Sequence, residues 1–165
     1  MRKQLYLDIK NRLEAVKNEQ GEQLFRHIDL WNRQTELNEQ EIPFACPAVF
    51  IEFMPMVWKT RGNSVRDCEL TVRLHVVTEP LSGIAGEPQA EQQVLECFDI
   101  IDVLTADLRG FGTDYMNGWM HTQSITSHHY DRYADNVEEC ICNVRDFSAV
   151  REYVPVTPGL SIIPQ

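Results

Sequence analysis

The chain has 165 residues, 43% of them hydrophobic and 24% charged, with 25 acidic against 15 basic side chains and a formal net charge of −10. That composition supports one domain with a real core and excludes a disordered chain. No run of about eighteen apolar residues is present to span a bilayer, and MRKQLYLDIK lacks the apolar stretch of a secretory signal, so a soluble intracellular protein is expected.

The charge is unevenly placed. Residues 1–78 hold 11 acidic and 11 basic side chains, whereas residues 79–165 hold 14 acidic and 4 basic, so the whole excess lies in the second half. Phosphate contacts need clustered Lys and Arg, which argues against a nucleic-acid face there and favours a basic protein partner or simple solubility. Five cysteines, an odd number without a CxxC pair, read as buried free thiols.

From Arg2 to about Asn18, Tyr6, Ile9, Leu13 and Val16 recur at helical spacing and predict an N-terminal helix, with Gly21 as its stop. Leu24 to Trp31 alternates and reads as a strand; Asn32 to Glu41 is polar and reads as a loop. Pro47 to Trp58 is apolar at both parities except Glu52, which suits a strand covered on both faces. Its partner is Glu69 to Thr78, where Leu70, Val72, Leu74 and Val76 mark one buried face. Gly62-Asn63 fits the tip of an antiparallel hairpin between them, and Pro55 predicts a bulge or edge in the first strand.

A Gly/Pro-rich loop then leads to Pro88, which can open a long helix closed by Arg109-Gly110. Val94, Phe98, Ile101, Leu104 and Leu108 line its apolar face, so Phe98, Ile101 and Leu104 are expected to be buried. Trp119 to Ser127 and Val137 to Ala149 read as a second hairpin, with Cys140, Cys142 and Val144 on one side. The fold class is therefore α+β: a largely antiparallel or mixed sheet with the long helix and the N-terminal helix packed against it. Residues 1–152 form a single domain, and 153–165 form an extended, proline-rich C-terminal arm. Val154, Leu160, Ile162 and Ile163 make that arm apolar, so it is expected to dock outside its own core.

Reactive constellations are sparse. His128, His129, Asp131 and Asp135 have metal-compatible chemistry, but adjacent histidines at a strand end point opposite ways and a polar connection is the simpler reading. Cys140 and Cys142 share a strand face without two further zinc ligands. There is no nucleophile elbow and no phosphate loop, so neither an enzyme nor a cofactor is expected. The cations Lys59, Arg61 and Arg66 at the hairpin tip stand out in an acidic chain and are candidates for contact with an acidic surface.

Taken together, the first helix, HIDLWN at His27–Asn32, PFACPAVFIEF at Pro43–Phe53, LTVRLHVVTE at Leu70–Glu79, the long helix, and HYDRYADN with NVRDF between His129 and Phe147 resemble the tail-terminator (tail-completion) proteins of long-tailed phages and prophages. The resemblance covers nearly the whole chain in element order and size. It implies a non-enzymatic structural protein that forms a homo-oligomeric, hexameric ring on the tail tube. Its neighbours would be tail-tube and head–tail connector proteins, with DNA at most passing through the ring and no membrane. It would act in the virion, or in the host cytoplasm during assembly. The candidate interface is then Lys59, Arg61 and Arg66 with Val154, Leu160, Ile162 and Ile163. The alternative is a stand-alone cytoplasmic α+β domain that holds a small ligand or a metal near His128 and His129.

Overall fold

The computed structural model describes residues 1–35, 44–79, 88–127 and 134–150. The C-terminal arm and the His128, His129 and Asp131 cluster lie outside them. The elements are α1 (Arg2–Ala15), β1 (His27–Leu30), β2 (Ala48–Phe53), β3 (Trp58–Thr60), β4 (Arg66–Thr78), α2 (Pro88–Leu108), β5 (Met120–Ser127) and β6 (Ala134–Asp146). The fold is α+β, with one six-stranded mixed sheet ordered β1-β2-β4-β6-β5 and β3 paired to the far end of β4. Among the described residues only β1 against β2 is parallel. The two predicted hairpins are present, β2 and β3 against β4, and β5 against β6. Pro55 falls in the four-residue break between β2 and β3, where a residue without an N–H ends the first run of pairing. The turn that follows β3 uses left-handed Asn63 (φ 59°) and Ser64 (φ 62°).

Alternation sorts the side chains into two layers. On one face of the sheet Val49 and Ile51, the row Leu70, Val72, Leu74 and Val76, and Cys140, Cys142 and Val144 form a single core with residues of both helices. From α1 come Leu5, Ile9 and Leu13, followed by Val16. Spacing of four aligns that row, so Leu5 takes the buried place expected for Tyr6, which is half-buried. The helix stops at Ala15 rather than near Asn18. Gly21 (φ 81°) belongs to the turn beyond, where Asn18 Oδ1 accepts from the backbone N–H groups of Gln20 and Glu22.

The other helix corrects a second expectation. Leu104 and Leu108 are buried and Ile101 is half-buried, but Phe98 is 51% exposed and Cys97 holds the inward position one residue earlier. The cause is polar. Thr78 Oγ1 and Asn136 Nδ2, at the ends of β4 and β6, lie 3.7 and 3.1 Å from Cys97 Sγ, and a buried amide needs such a partner where an aromatic ring offers none. Gly110 (φ 73°) follows the helix, and a Cβ on Gly118 would stand 3.0 Å from its backbone, so the two glycines close the loop tightly. The helices are tied to each other. Arg12 of α1 donates to the Asp107 carbonyl at 2.8 Å and pairs with its carboxylate at 2.9 Å, while Tyr115 donates its phenol proton to Asp8. The Tyr115 phenol is held well above its ordinary pKa by burial first and the neighbouring carboxylate second.

The opposite face of the sheet carries no helix among the described residues. Near β1 it is closed by a small cluster of Phe44, Cys46, Ala48, Phe50 and Val77, with Trp31 packed against it.

Candidate functional site

Three places on this frame concentrate chemistry. The largest is an open groove of about 1090 Å³ at the hairpin end of the helix-free face. Its floor is β4 and β6. Residues of β3 stand on one side, and on the other stands the segment 113–117, which hydrogen-bonds along β6 through Asn117 N to Asn143 O and Arg145 N to Tyr115 O. Val57, 70% exposed, and Phe147, 49% exposed, put apolar surface into the groove beside Lys59 and Arg61.

The tip cations proposed from sequence separate here by partner. Arg66 pairs with Asp146, a wholly buried carboxylate, and its guanidinium lies 5.2 Å from the Trp58 ring centroid. Burial alone would raise the Asp146 carboxyl, but hydrogen bonds from Ser148 and the Arg66 guanidinium outweigh it and hold the group below the ordinary carboxylate range. Arg61 pairs with Asp67, which also accepts from Arg145 Nε at 2.9 Å; the Arg145 hydrogen bond, aided by both positive charges, lowers the Asp67 carboxyl. Lys59 makes no ion pair among the described residues and is exposed in the groove wall. Val154, Leu160, Ile162 and Ile163 lie outside the described residues, so their place relative to this groove is not part of the geometry.

A second polar centre crosses the helix-free face between β2, β4 and β6. His75 is 7% exposed and stacks on Trp31 with ring centroids 3.7 Å apart at 6°. Its Nε2 lies 3.3 Å from Glu52 and its Nδ1 lies 3.5 Å from Asp135, which Thr35 also approaches. Arg73 joins Glu139 at 3.0 Å and Glu52 at 4.0 Å. Asp135, read from sequence as part of a metal-compatible cluster, is thus a buried partner of β4. Among the described residues no group of three or more His, Cys, Asp or Glu side chains is placed to hold a metal ion.

The third is a cavity of about 350 Å³ between α2, β5 and β6. Glu138, 2% exposed, lies in its lining, with His121 Nε2 2.6 Å and Ser124 Oγ 2.5 Å from the same carboxylate oxygen. A nucleophilic serine needs its hydroxyl on one imidazole nitrogen and the acid on the other. Here both approach Nε2, and the serine proton is directed at the carboxylate, so the trio satisfies a buried acid without activating the hydroxyl. Sequence reading passed over it. The signal was the parity that puts Glu138 on the inward row of Cys140, Cys142 and Val144.

All five cysteines are free and buried. Burial pushes the Cys140 and Cys142 thiols up to about 12 and Cys46 to about 11, and raises Cys68 and Cys97 as well, so none is a ready thiolate at neutral pH. No helix among the described residues is long and apolar enough to cross a membrane. The class these features define is a two-layer α+β domain whose buried ionisable groups His75, Asp135, Glu138 and Asp146 are paired internally and whose exposed groove sets apolar surface beside charges of both signs. No protein-family model matches the chain, and no curated protein matches it in sequence.

Proposed function

We propose that this chain is a structural tail protein of a phage or prophage, similar to tail terminators, which assembles as a homo-oligomeric ring at the end of the tail tube. The observation that carries the reading is the groove beside β3, where Val57 and Phe147 leave apolar surface next to Lys59 in a chain whose second half is strongly acidic. Apolar surface rimmed by charge is what a protein partner covers. Element order adds support: one helix, a hairpin sheet, a long helix and a final hairpin follow the order on which the resemblance rests. In this reading the protein is non-catalytic and acts in the virion, or in the host cytoplasm during assembly. Its neighbours are tail-tube and connector proteins, and DNA at most passes through the opening.

Light scattering after size exclusion, with negative-stain microscopy of the same fractions, tests the proposal. The expected result is a closed ring of several subunits whose population grows with concentration, and a chain that is monomeric at every concentration overturns it. Lys59→Glu is the informative charge variant because Arg61 and Arg66 already hold internal partners. It should shift assembly to higher protein concentration while leaving the melting temperature unchanged. The cavity beside Glu138 favours a second reading, a small-ligand-binding domain, which predicts a monomer or dimer in the same experiment.

A further inference from the structure

We infer that the outer edge of β5 is the strand onto which a second copy of this chain docks, so that the sheet of one subunit continues into the next. The inference rests on the ring reading and names the surface that would build it. Among the described residues β5 pairs with β6 alone and ends the sheet. Its sequence, MHTQSITS, contains no Asp, Glu, Lys, Arg or Pro in a chain that is 24% charged. Edge strands are ordinarily protected by such residues, because a row of unpaired N–H and C=O groups recruits other strands. One protective device is present, the register shift between His121 and Gln123, and beyond it the pairing runs regularly from Gln123 to Ser127.

Exposure points the same way. Every side chain from Met120 to Thr126 is exposed, including His121 and Ser124 on the face that reaches Glu138. Met120 at 58% and Ile125 at 38% are apolar. The opposite edge of the sheet is β1, only four residues long, with Asp29 within it and Arg26 before it.

Charge selects the occupant and its orientation. β5 lies beside α2, whose exposed Asp99 and Asp102 make no ion pair among the described residues, and pairing β5 with β5 about a twofold axis would bring two such acidic surfaces together. A second copy that presents its charge-balanced first half avoids this repulsion and offers Lys59, which makes no ion pair among the described residues, to the carboxylates. The contact is then head to tail, and head-to-tail contacts close into rings when the rotation permits.

The test places charge on the edge with Met120→Lys combined with Ile125→Lys, both at exposed positions, and reads mass by light scattering alongside thermal melting. The expected result is a monomer with the parent's melting temperature at concentrations where the parent assembles. If the double variant melts without cooperativity, Ile125→Lys alone is read in the same way. A folded variant that assembles as the parent does overturns this inference and leaves the ring reading standing, whereas a parent that never assembles removes both. Gln123→Cys under oxidation on a non-reducing gel fixes orientation. Absence of a linked dimer is expected, and an efficient disulfide dimer would show β5 meeting itself and overturn the head-to-tail arrangement. Truncation after Glu152 tests the remaining occupant. Association that strengthens when residues 153–165 are removed would mean that the chain's own arm covers the edge, which also overturns the proposal.

Discussion

At the scale of single residues, the buried charges among the described residues are held in partnerships. Asp146 is wholly buried and satisfied by Arg66 and Ser148, so its ionised form is favoured in the folded chain. A carboxyl held below its ordinary value contributes stability that is fully present above the unfolded value near about pH 4, and loses it as the pH falls through the folded value. Asp146→Asn should therefore lower the melting temperature clearly at pH 7, with the gap to the parent closing as both are titrated below about pH 4. A gap that stays constant as the pH is lowered until the parent itself unfolds would assign the loss to packing instead. Sequence reading saw Lys59, Arg61 and Arg66 as one cationic tip because proximity in sequence is visible and partnership is not. Asp146 lies 80 residues from Arg66, and only the pairing of β4 with β6 brings them together. Glu138 was missed for the opposite reason, since a glutamate in a strand reads as a solvated residue until the parity of its neighbours is counted.

At the scale of elements, the long helix shows both how much the sequence reveals and where it stops. Its limits were legible from Pro88 and from the glycine at 110, and its facing residues from helical spacing. The rotation about its own axis was not, because the choice between Cys97 and Phe98 depends on Thr78 and Asn136 beneath it. Leu104→Ala should cost about 2–5 kcal/mol in denaturant unfolding, since the side chain is fully buried. Phe98→Ala, half exposed, should cost about 1 kcal/mol or less. Equal losses from the two would return Phe98 to the core. Other elements were read in part. β1 is half the predicted length, and its parallel pairing with β2 is a tertiary outcome that alternation alone does not encode. The start of β4 was hidden because Arg66-Asp-Cys68 pairs with β3 and β6 without an apolar row to mark it.

At the scale of the whole molecule, the α+β class and the two hairpins were legible because hairpins are local, whereas the seam that joins them was not. That seam is the antiparallel ladder from Arg66 opposite Asp146 to Thr78 opposite Ala134, the middle of the sheet. It has a kinetic consequence. Each hairpin can close over a short loop, but joining them requires closure across a far longer stretch of chain, whose entropic cost precedes any gain from contact. The transition state for folding should therefore hold the β4–β6 seam, with the β3 tip still loose. In stopped-flow chevrons Val72→Ala, at the centre of the seam, should slow refolding, while Trp58→Ala at the tip should mainly speed unfolding. The reverse pattern would place nucleation in the first hairpin. During synthesis the same arrangement means that the chain up to β4 waits with one edge of that strand unpaired until β6 has left the ribosome, the interval in which a chaperone or a second nascent chain has most to bind.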